Sequence, residues 1–180
     1  MTRITAVLVI LSAAGVHAQD VVVANLRSLF EGYKQNALEA AELFSEADYD
    51  FKPSPDVMSV RGVLAHIGDA NFALCSQLRG EANPSAGPIE KRETTKPALV
   101  AAMRSSFDYC LSAMAGWPDA KLAETVRSGN RERVKAWTAL HLLEHTALHY
   151  GNLITYMRMK GIVPPETARR QVRPSQPATP

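Results

Sequence analysis

The sequence predicts an all-α protein, a four-helix bundle, and three observations support this prediction. Four segments repeat apolar residues at three- and four-residue steps, which is the period of a helix with one buried face. Stretches containing proline or glycine separate these segments, and none of the segments alternates apolar and polar residues as a strand does. With 180 residues, 46% of them hydrophobic, the chain is long enough to bury a single core.

The first 18 residues have the pattern of a secretory signal peptide. Arg3 gives a positive start, residues 4–15 form a short apolar run, and a small–large–small tripeptide follows. This pattern predicts cleavage between Ala18 and Gln19, and the apolar run is too short for a stable membrane anchor. We therefore expect a periplasmic or secreted protein whose domain spans residues 19–165.

The first two predicted helices flank a linker that contains proline. The first helix covers residues 21–44, with Asp20 as a candidate cap. Residues 48–56 include two prolines within three residues, which excludes a regular α-helix. Ser59 is a typical N-cap, and the second helix extends from it to about residue 79.

The third predicted helix follows a loop at residues 80–94. Thr95 can cap this helix, and Pro97 is tolerated in its first turn. Gly116 and Pro118 end it.

The fourth predicted helix covers residues 132–160 and follows a polar connector at residues 121–131. Gly161 is placed to end it in the left-handed conformation. Residues 166–180 carry three arginines but no apolar periodicity, so we expect a disordered tail.

The two cysteines, Cys75 and Cys110, lie on the second and third predicted helices. In an oxidising compartment such a pair invites a disulfide. If the two helices are antiparallel neighbours across residues 80–94, however, the sulfurs lie at different heights. We therefore favour buried free thiols.

Composition excludes one class of function. The formal net charge is only +2, and lysine and arginine form no long cluster, so we expect no nucleic-acid binding.

Three histidines of the fourth helix, His141, His145 and His149, follow one another at four-residue steps. Four residues of α-helix turn the chain by about 400°, so these rings share one face. An i,i+4 pair of imidazoles can chelate one metal ion, with further ligands from another helix. The alternative is that the histidines bind nothing.

The residues around these histidines have the spacing of a core stripe, which predicts a buried position. The stripe consists of Val134, Trp137, His141, Leu142, His145, Leu148, His149, Leu153 and Tyr156. We therefore expect the imidazoles to point into the protein, where a polar ring without a partner is costly. His66 lies on the shoulder of the apolar face of the second helix. A single histidine there is more often an ordinary core residue than a ligand, so its interest depends on partners from the fourth helix.

Two motifs carry a resemblance to a known family. The motif of His145, His149 and Gly151 in the fourth helix, and Leu64-x-His66 in the second, resemble those of the DinB family. The resemblance extends over nearly all of the predicted domain and implies a four-helix bundle with a mononuclear metal site.

The resemblance also implies the ligands. One histidine from the second helix and an i,i+4 pair from the fourth hold the metal in that family, and they correspond to His66, His145 and His149 here. It implies one divalent transition metal, with Zn, Ni, Fe and Mn all compatible with three imidazoles. His141 is outside this triad, and we expect it beside the ligands or in a pocket.

Two classes of function fit such a site. The first is a metal-dependent enzyme that acts on an unknown small molecule, either a hydrolase using metal-bound water or a thiol S-transferase. The second is a non-catalytic metal-binding or interaction protein in which the ion only stabilises the bundle. The sequence does not supply a convincing general base, because Glu144 lies about 100° away from the ligand face.

The fourth helix carries a second apolar face, away from the histidines. It consists of Leu140, Leu143, Ala147, Gly151 and Ile154. Either other helices of the bundle cover this face, or a second copy of the chain does so in a homodimer, which the resemblance also suggests.

Overall fold

The computed structural model describes residues 20–172, so the predicted signal peptide and its cleavage point lie outside the described residues. The helices and strands, numbered in chain order, are α1 (Val21–Leu43), α2 (Val60–Arg79), α3 (Ile89–Arg92), α4 (Lys96–Ala113), β1 (Thr125–Ser128), β2 (Arg131–Val134), α5 (Lys135–Met159) and α6 (Pro165–Val172). The four long helices α1, α2, α4 and α5 enclose the core, which confirms the prediction of an all-α four-helix bundle.

The caps of the helices agree with the sequence at three ends and differ at one. The side chains of Ser59 and Thr95 accept hydrogen bonds from backbone amides in the first turns of α2 and α4, as predicted. Gly161 has a φ of 73° just beyond α5, a conformation in which a side chain would be strained. The predicted cap Asp20 makes no such bond, and the carboxylate of Asp119 accepts hydrogen bonds from two amides at the start of α1 instead.

Helices α1 and α4 are antiparallel neighbours. The side chain of Lys96, at the start of α4, donates hydrogen bonds to backbone carbonyls at the end of α1, one of them on Phe44. Further along, the ring centroids of Phe30 and Phe107 lie 5.1 Å apart. Residue numbers therefore rise along α4 as the numbers of the contacting residues fall along α1.

Helices α2 and α4, in contrast, are parallel, and a disulfide joins them. Asn71 donates a hydrogen bond to Ser106, and one turn later Cys75 is bonded to Cys110, with Cα atoms 5.2 Å apart. The prediction of free thiols was wrong because it took the two helices as antiparallel. Residues 80–94 run back along the bundle before α4 begins, so the two cysteines reach the same height.

Helix α3 forms part of this return path and packs closely on α2. The backbone amide of Ile89 donates to the carboxylate of Asp69, and the Ile89 side chain is fully buried. A Cβ atom on Gly68 would lie 2.7 Å from the end of that side chain, so a larger residue at position 68 would displace the end of Ile89 from its present position.

Two short elements correct the sequence predictions. Residues of the predicted polar connector form an antiparallel hairpin of β1 and β2, with Val126 paired to Arg133. The predicted disordered tail begins instead with α6, whose Arg169 side chain contacts Glu39 and Asn36 of α1. These contacts with another helix explain how a segment without an apolar period is ordered. Residues 173–180 lie outside the described part of the chain.

No helix within residues 20–172 combines the length and the apolar character that crossing a membrane requires.

Candidate metal centre

Helices α2 and α5 are antiparallel, and their facing sides bring three predicted site residues together. The ring centroids of His66, His145 and His149 lie 4.5 to 4.8 Å from one another. One ring nitrogen from each histidine can be chosen so that all three atoms lie within 4.8 Å of one another. The Nε2 atoms of His66 and His145 are 3.0 Å apart. Nitrogens that share a metal ion at 2.0–2.1 Å lie roughly 3 Å apart, so the three residues could hold one ion.

The triad lies at the surface rather than in the core, which differs from the prediction. His145 and His149 are half-buried and His66 is exposed. Outer residues of the predicted stripe are exposed as well, with Leu148 63% exposed. The reason is that a four-residue step overshoots a full turn by about 40°, so the stripe drifts from the core to the flank of α5. The buried residues of α5 are Lys135, Thr138, Ala139, Leu142, Thr146, Tyr150, Leu153, Tyr156 and Met157.

The imidazoles of His145 and His149 have the protonation state that a metal ligand needs. Burial, with a smaller effect from the neighbouring His149 and His66, lowers the pKa of His145 to about 4. Burial is also the main reason why the pKa of His149 is lowered. Both rings are therefore neutral at pH 7, with a lone pair on one nitrogen.

The same two rings have buried nitrogen atoms without a partner. The Nδ1 atoms of His145 and His149 are shielded from solvent and make no hydrogen bond within residues 20–172. The Nε2 atom of His145 faces that of His66, so Nδ1 of this ring would carry the proton when Nε2 binds an ion. The donor set, three neutral imidazoles, is compatible with Zn²⁺ and with other divalent transition metals.

His141 lies beside the triad and not in it. Its ring centroid is 6.1 Å from that of His145, and its Nδ1 is 3.3 Å from the Glu144 carboxylate. On its other side the ring stacks on Trp137 at 4.9 Å. Glu144 thus orients His141 and does not face the three ligands.

The family model of the DinB superfamily matches residues 29–153. The chain belongs to the DinB superfamily.

Two solved structures share the fold of this DinB-superfamily protein. A DinB-like protein from Bacillus subtilis is 19% identical with a TM-score of 0.62, and the match covers 76% of this chain and 92% of that one. A DinB-like protein from Bacillus cereus ATCC 10987 is 14% identical with a TM-score of 0.68, covering 79% and 95%. At these identities the likeness shows the fold alone. None of the curated proteins is significantly similar in sequence.

The three histidines do not line the large depression between α1 and α6. A cavity of about 720 Å³ between α1 and α6 is lined by Leu38, Glu39 and Arg169 among others, and by none of the three histidines. Its lining has no cluster of metal-ligating atoms, so its volume alone does not indicate a reaction. Within residues 20–172, the three histidines are the cluster of side chains whose arrangement could hold a metal ion.

Sequence patterns alone did not identify Arg133 as a neighbour of the candidate metal centre. Arg133 of β2 places its guanidinium carbon 4.3 Å from the centroid of the Trp137 ring. From the sequence, residues 121–131 were treated as a polar connector with Gly129-Asn130 as its turn, and Arg133 was placed in the fourth helix, although such a pair is also typical of a β-hairpin. That signal could have placed Arg133 next to the first turn of α5.

Proposed function

We propose that the protein binds one divalent transition metal through His66, His145 and His149 and is a metal-dependent hydrolase acting on a small molecule. The convergence of three imidazoles from α2 and α5 is the observation that carries the proposal. Bound there, the ion would lower the pKa of a coordinated water molecule and polarise a substrate oxygen.

The exposure of the site favours catalysis over a purely structural role. Structural zinc sites are closed by four protein ligands, whereas catalytic sites have three and leave a position open. Here three imidazoles converge, and His66 is exposed to solvent, so a small molecule can approach. The protein's residues would hold the ion, keep the α5 ligands neutral and leave one side accessible.

The alternatives predict different behaviour at the same site. If the ion only stabilises the bundle, it joins α2 to α5 and no substrate competes for it. A thiol S-transferase would bind a thiolate at the open position. The three nitrogens do not select among Zn, Ni, Fe and Mn, so metal analysis must identify the ion.

Four single variants test the metal site. His66→Ala, His145→Ala and His149→Ala should each lose most of the bound metal and most of the rise in melting temperature that added metal produces, because only binding to the folded state stabilises it. His141→Ala is the matched control on the same stripe of α5 and should retain both. The measurement is metal stoichiometry beside thermal unfolding. Loss of metal in His141→Ala together with its retention in His66→Ala would show that the ligands are assigned wrongly.

We also propose that the protein is exported and begins at Gln19 after cleavage. The Cys75–Cys110 disulfide supports this, because disulfides persist mainly in oxidising compartments. Intact-mass measurement of the protein from the extracytoplasmic fraction should give the chain from Gln19 onward. A membrane-bound form that keeps Met1 would contradict both the cleavage and the absence of an anchor.

A further inference from the structure

A stack of three planar side chains leads from the hairpin to the candidate metal centre. The Arg133 guanidinium lies over the Trp137 ring, the Trp137 ring stacks on His141 at an interplanar angle of 28°, and His141 contacts the ligand His145 edge to face. Trp137 is nonetheless 38% exposed, so it is only partly used for core packing. A depression of about 390 Å³, lined by Trp137 and His141 among others, adjoins this stack.

Stacking holds the guanidinium of Arg133 in place but does not neutralise it. Within residues 20–172, neither Arg133 nor Arg131 forms an ion pair. A guanidinium that stacks through its face keeps its N–H donors free at the edge, where they match the two oxygens of a carboxylate or the oxygens of a phosphate.

The register of the hairpin places both arginines on one face. Ser128 is paired with Arg131 and Val126 with Arg133, and residues directly opposite in an antiparallel pair share a face. Arg127 pairs with Glu132 and therefore belongs to the opposite face. The face toward Trp137 thus presents two unpaired positive charges and no carboxylate of its own.

We propose that Arg133, with Arg131, binds an anionic group of the substrate whose reacting end is at the metal centre. This inference rests on the proposed function and adds the substrate class, an elongated molecule with a carboxylate or phosphate at one end. The helix rises about 12 Å from Trp137 to His145, so the anionic group lies at roughly that distance from the ligand nitrogens. The stack of Trp137 and His141 forms the wall between the two ends.

A ladder of synthetic probes tests the distance and the charge together. Each probe is an alkyl chain with a hydroxamate at one end, which chelates the open positions of a transition metal, and a carboxylate at the other. The same chains with a neutral terminal amide are the controls. Calorimetry on the zinc-loaded protein should show a preference of about tenfold for the carboxylate once the chain spans roughly 12 Å, and none for the shortest chains.

Single variants distinguish specific binding by the two arginines from unspecific attraction by the positive charge of the hairpin. Arg133→Gln should abolish the preference, Arg131→Gln should reduce it, and Trp137→Leu should reduce it because the guanidinium is no longer held. Arg127→Gln, which removes the same charge from the opposite face, should leave it unchanged. Metal stoichiometry should stay constant throughout.

The outcomes distinguish this inference from the proposed function. Hydroxamates that bind without a preference for the carboxylate, or a preference that survives Arg133→Gln, would overturn the inference and leave the metal site standing. Equal losses in Arg133→Gln and Arg127→Gln would also overturn it, since they indicate unspecific attraction. A protein that takes up no metal would overturn the proposed function, and this inference with it. A second series of probes carries a terminal phosphonate in place of the carboxylate. The series that binds more tightly shows whether the natural anionic group is a carboxylate or a phosphate.

Discussion

The position of each imidazole along α5 determines its partners. His141, His145 and His149 belong to one sequence pattern, yet only the last two meet His66 across the groove. Because every four-residue step rotates the side chain by about 40°, His141 is turned away and stacks on Trp137 instead. Spacing alone therefore identifies a candidate set of ligands, and the neighbouring helix selects among them.

A second residue-scale feature fastens the end of α5 to the linker between α1 and α2. The Asp48 carboxylate accepts hydrogen bonds from the backbone and hydroxyl of Ser45 and is 2.8 Å from the Lys160 ammonium. The hydrogen bonds from Lys160 and Ser45 lower the pKa of Asp48 to about 2.

This lowered pKa predicts a specific loss of stability in acid. Since the folded protein holds Asp48 ionised more strongly than the unfolded chain, the stabilisation is complete above the unfolded pKa near 4 and disappears as the pH falls toward 2. Asp48→Asn should lower the melting temperature at pH 7 and flatten its decline between pH 4 and pH 2. Asp56→Asn, at an exposed carboxylate of the same linker without an ion pair, is the control. An identical acid profile in the wild type and Asp48→Asn would contradict the prediction.

Helix α2 takes part both in the disulfide and in the candidate metal site. One side of it carries the disulfide to α4, and another carries His66 toward α5. The parallel arrangement of α2 and α4 depends on the return path through α3, where Ile89 is buried against Gly68.

We expect removal of the disulfide to destabilise the bundle considerably. The bond joins residues 35 apart in the chain, for which loop-closure entropy gives about 3–4 kcal/mol of stabilisation. The double variant C75A/C110A should lose this amount, a fall in melting temperature of roughly 10 °C. Reduction of the wild-type protein should lower its stability to a similar extent, and the variant should not respond to reductant. Two thiols that react with a labelling reagent in the unreduced, denatured protein would show that the bond is absent.

At the scale of the whole molecule, the outer side of α5 is incompletely covered. Of the predicted second apolar face, Leu143, Ala147, Gly151 and Ile154 are half-buried, while Leu140 is 57% exposed. The bundle itself therefore covers part of this face, as one of the two alternatives expected.

Two exposed leucines of α5, Leu140 from this face and Leu148 from the histidine stripe, are the basis for proposing a homodimer. Leu140 and Leu148 lie on the outer side of the same helix, where a second copy could bury them. Light scattering at tens of micromolar should give twice the monomer mass, and the double variant L140E/L148E should give the monomer mass. Lys91→Glu on α3, at an exposed position that forms no ion pair within residues 20–172, is a control that changes charge elsewhere. The monomer mass for the wild-type protein would rule the proposal out.

Local patterns in the sequence predicted the elements well and their mutual directions poorly. Ser59, Thr95 and Gly161 mark helix ends through bonds and conformations within a few residues, so the sequence reveals them. The direction of α4 depends instead on how residues 80–94 pack on α2, which no short pattern records. The same limit explains the error on Cys75 and Cys110, and it explains why the prediction of buried histidines placed the site too deep.

If the protein binds a metal as proposed, the connectivity of the bundle also sets the order in which the disulfide and the metal site can form. Both cysteines precede α5 in the chain, so α2 and α4 can be joined before α5 has docked, whereas His145 and His149 arrive with α5. Before α5 docks, α2 and α4 would offer the proposed ion only the single imidazole of His66, which would hold it weakly. Tight binding of the proposed ion would therefore have to wait for α5, which supplies two of its three ligands.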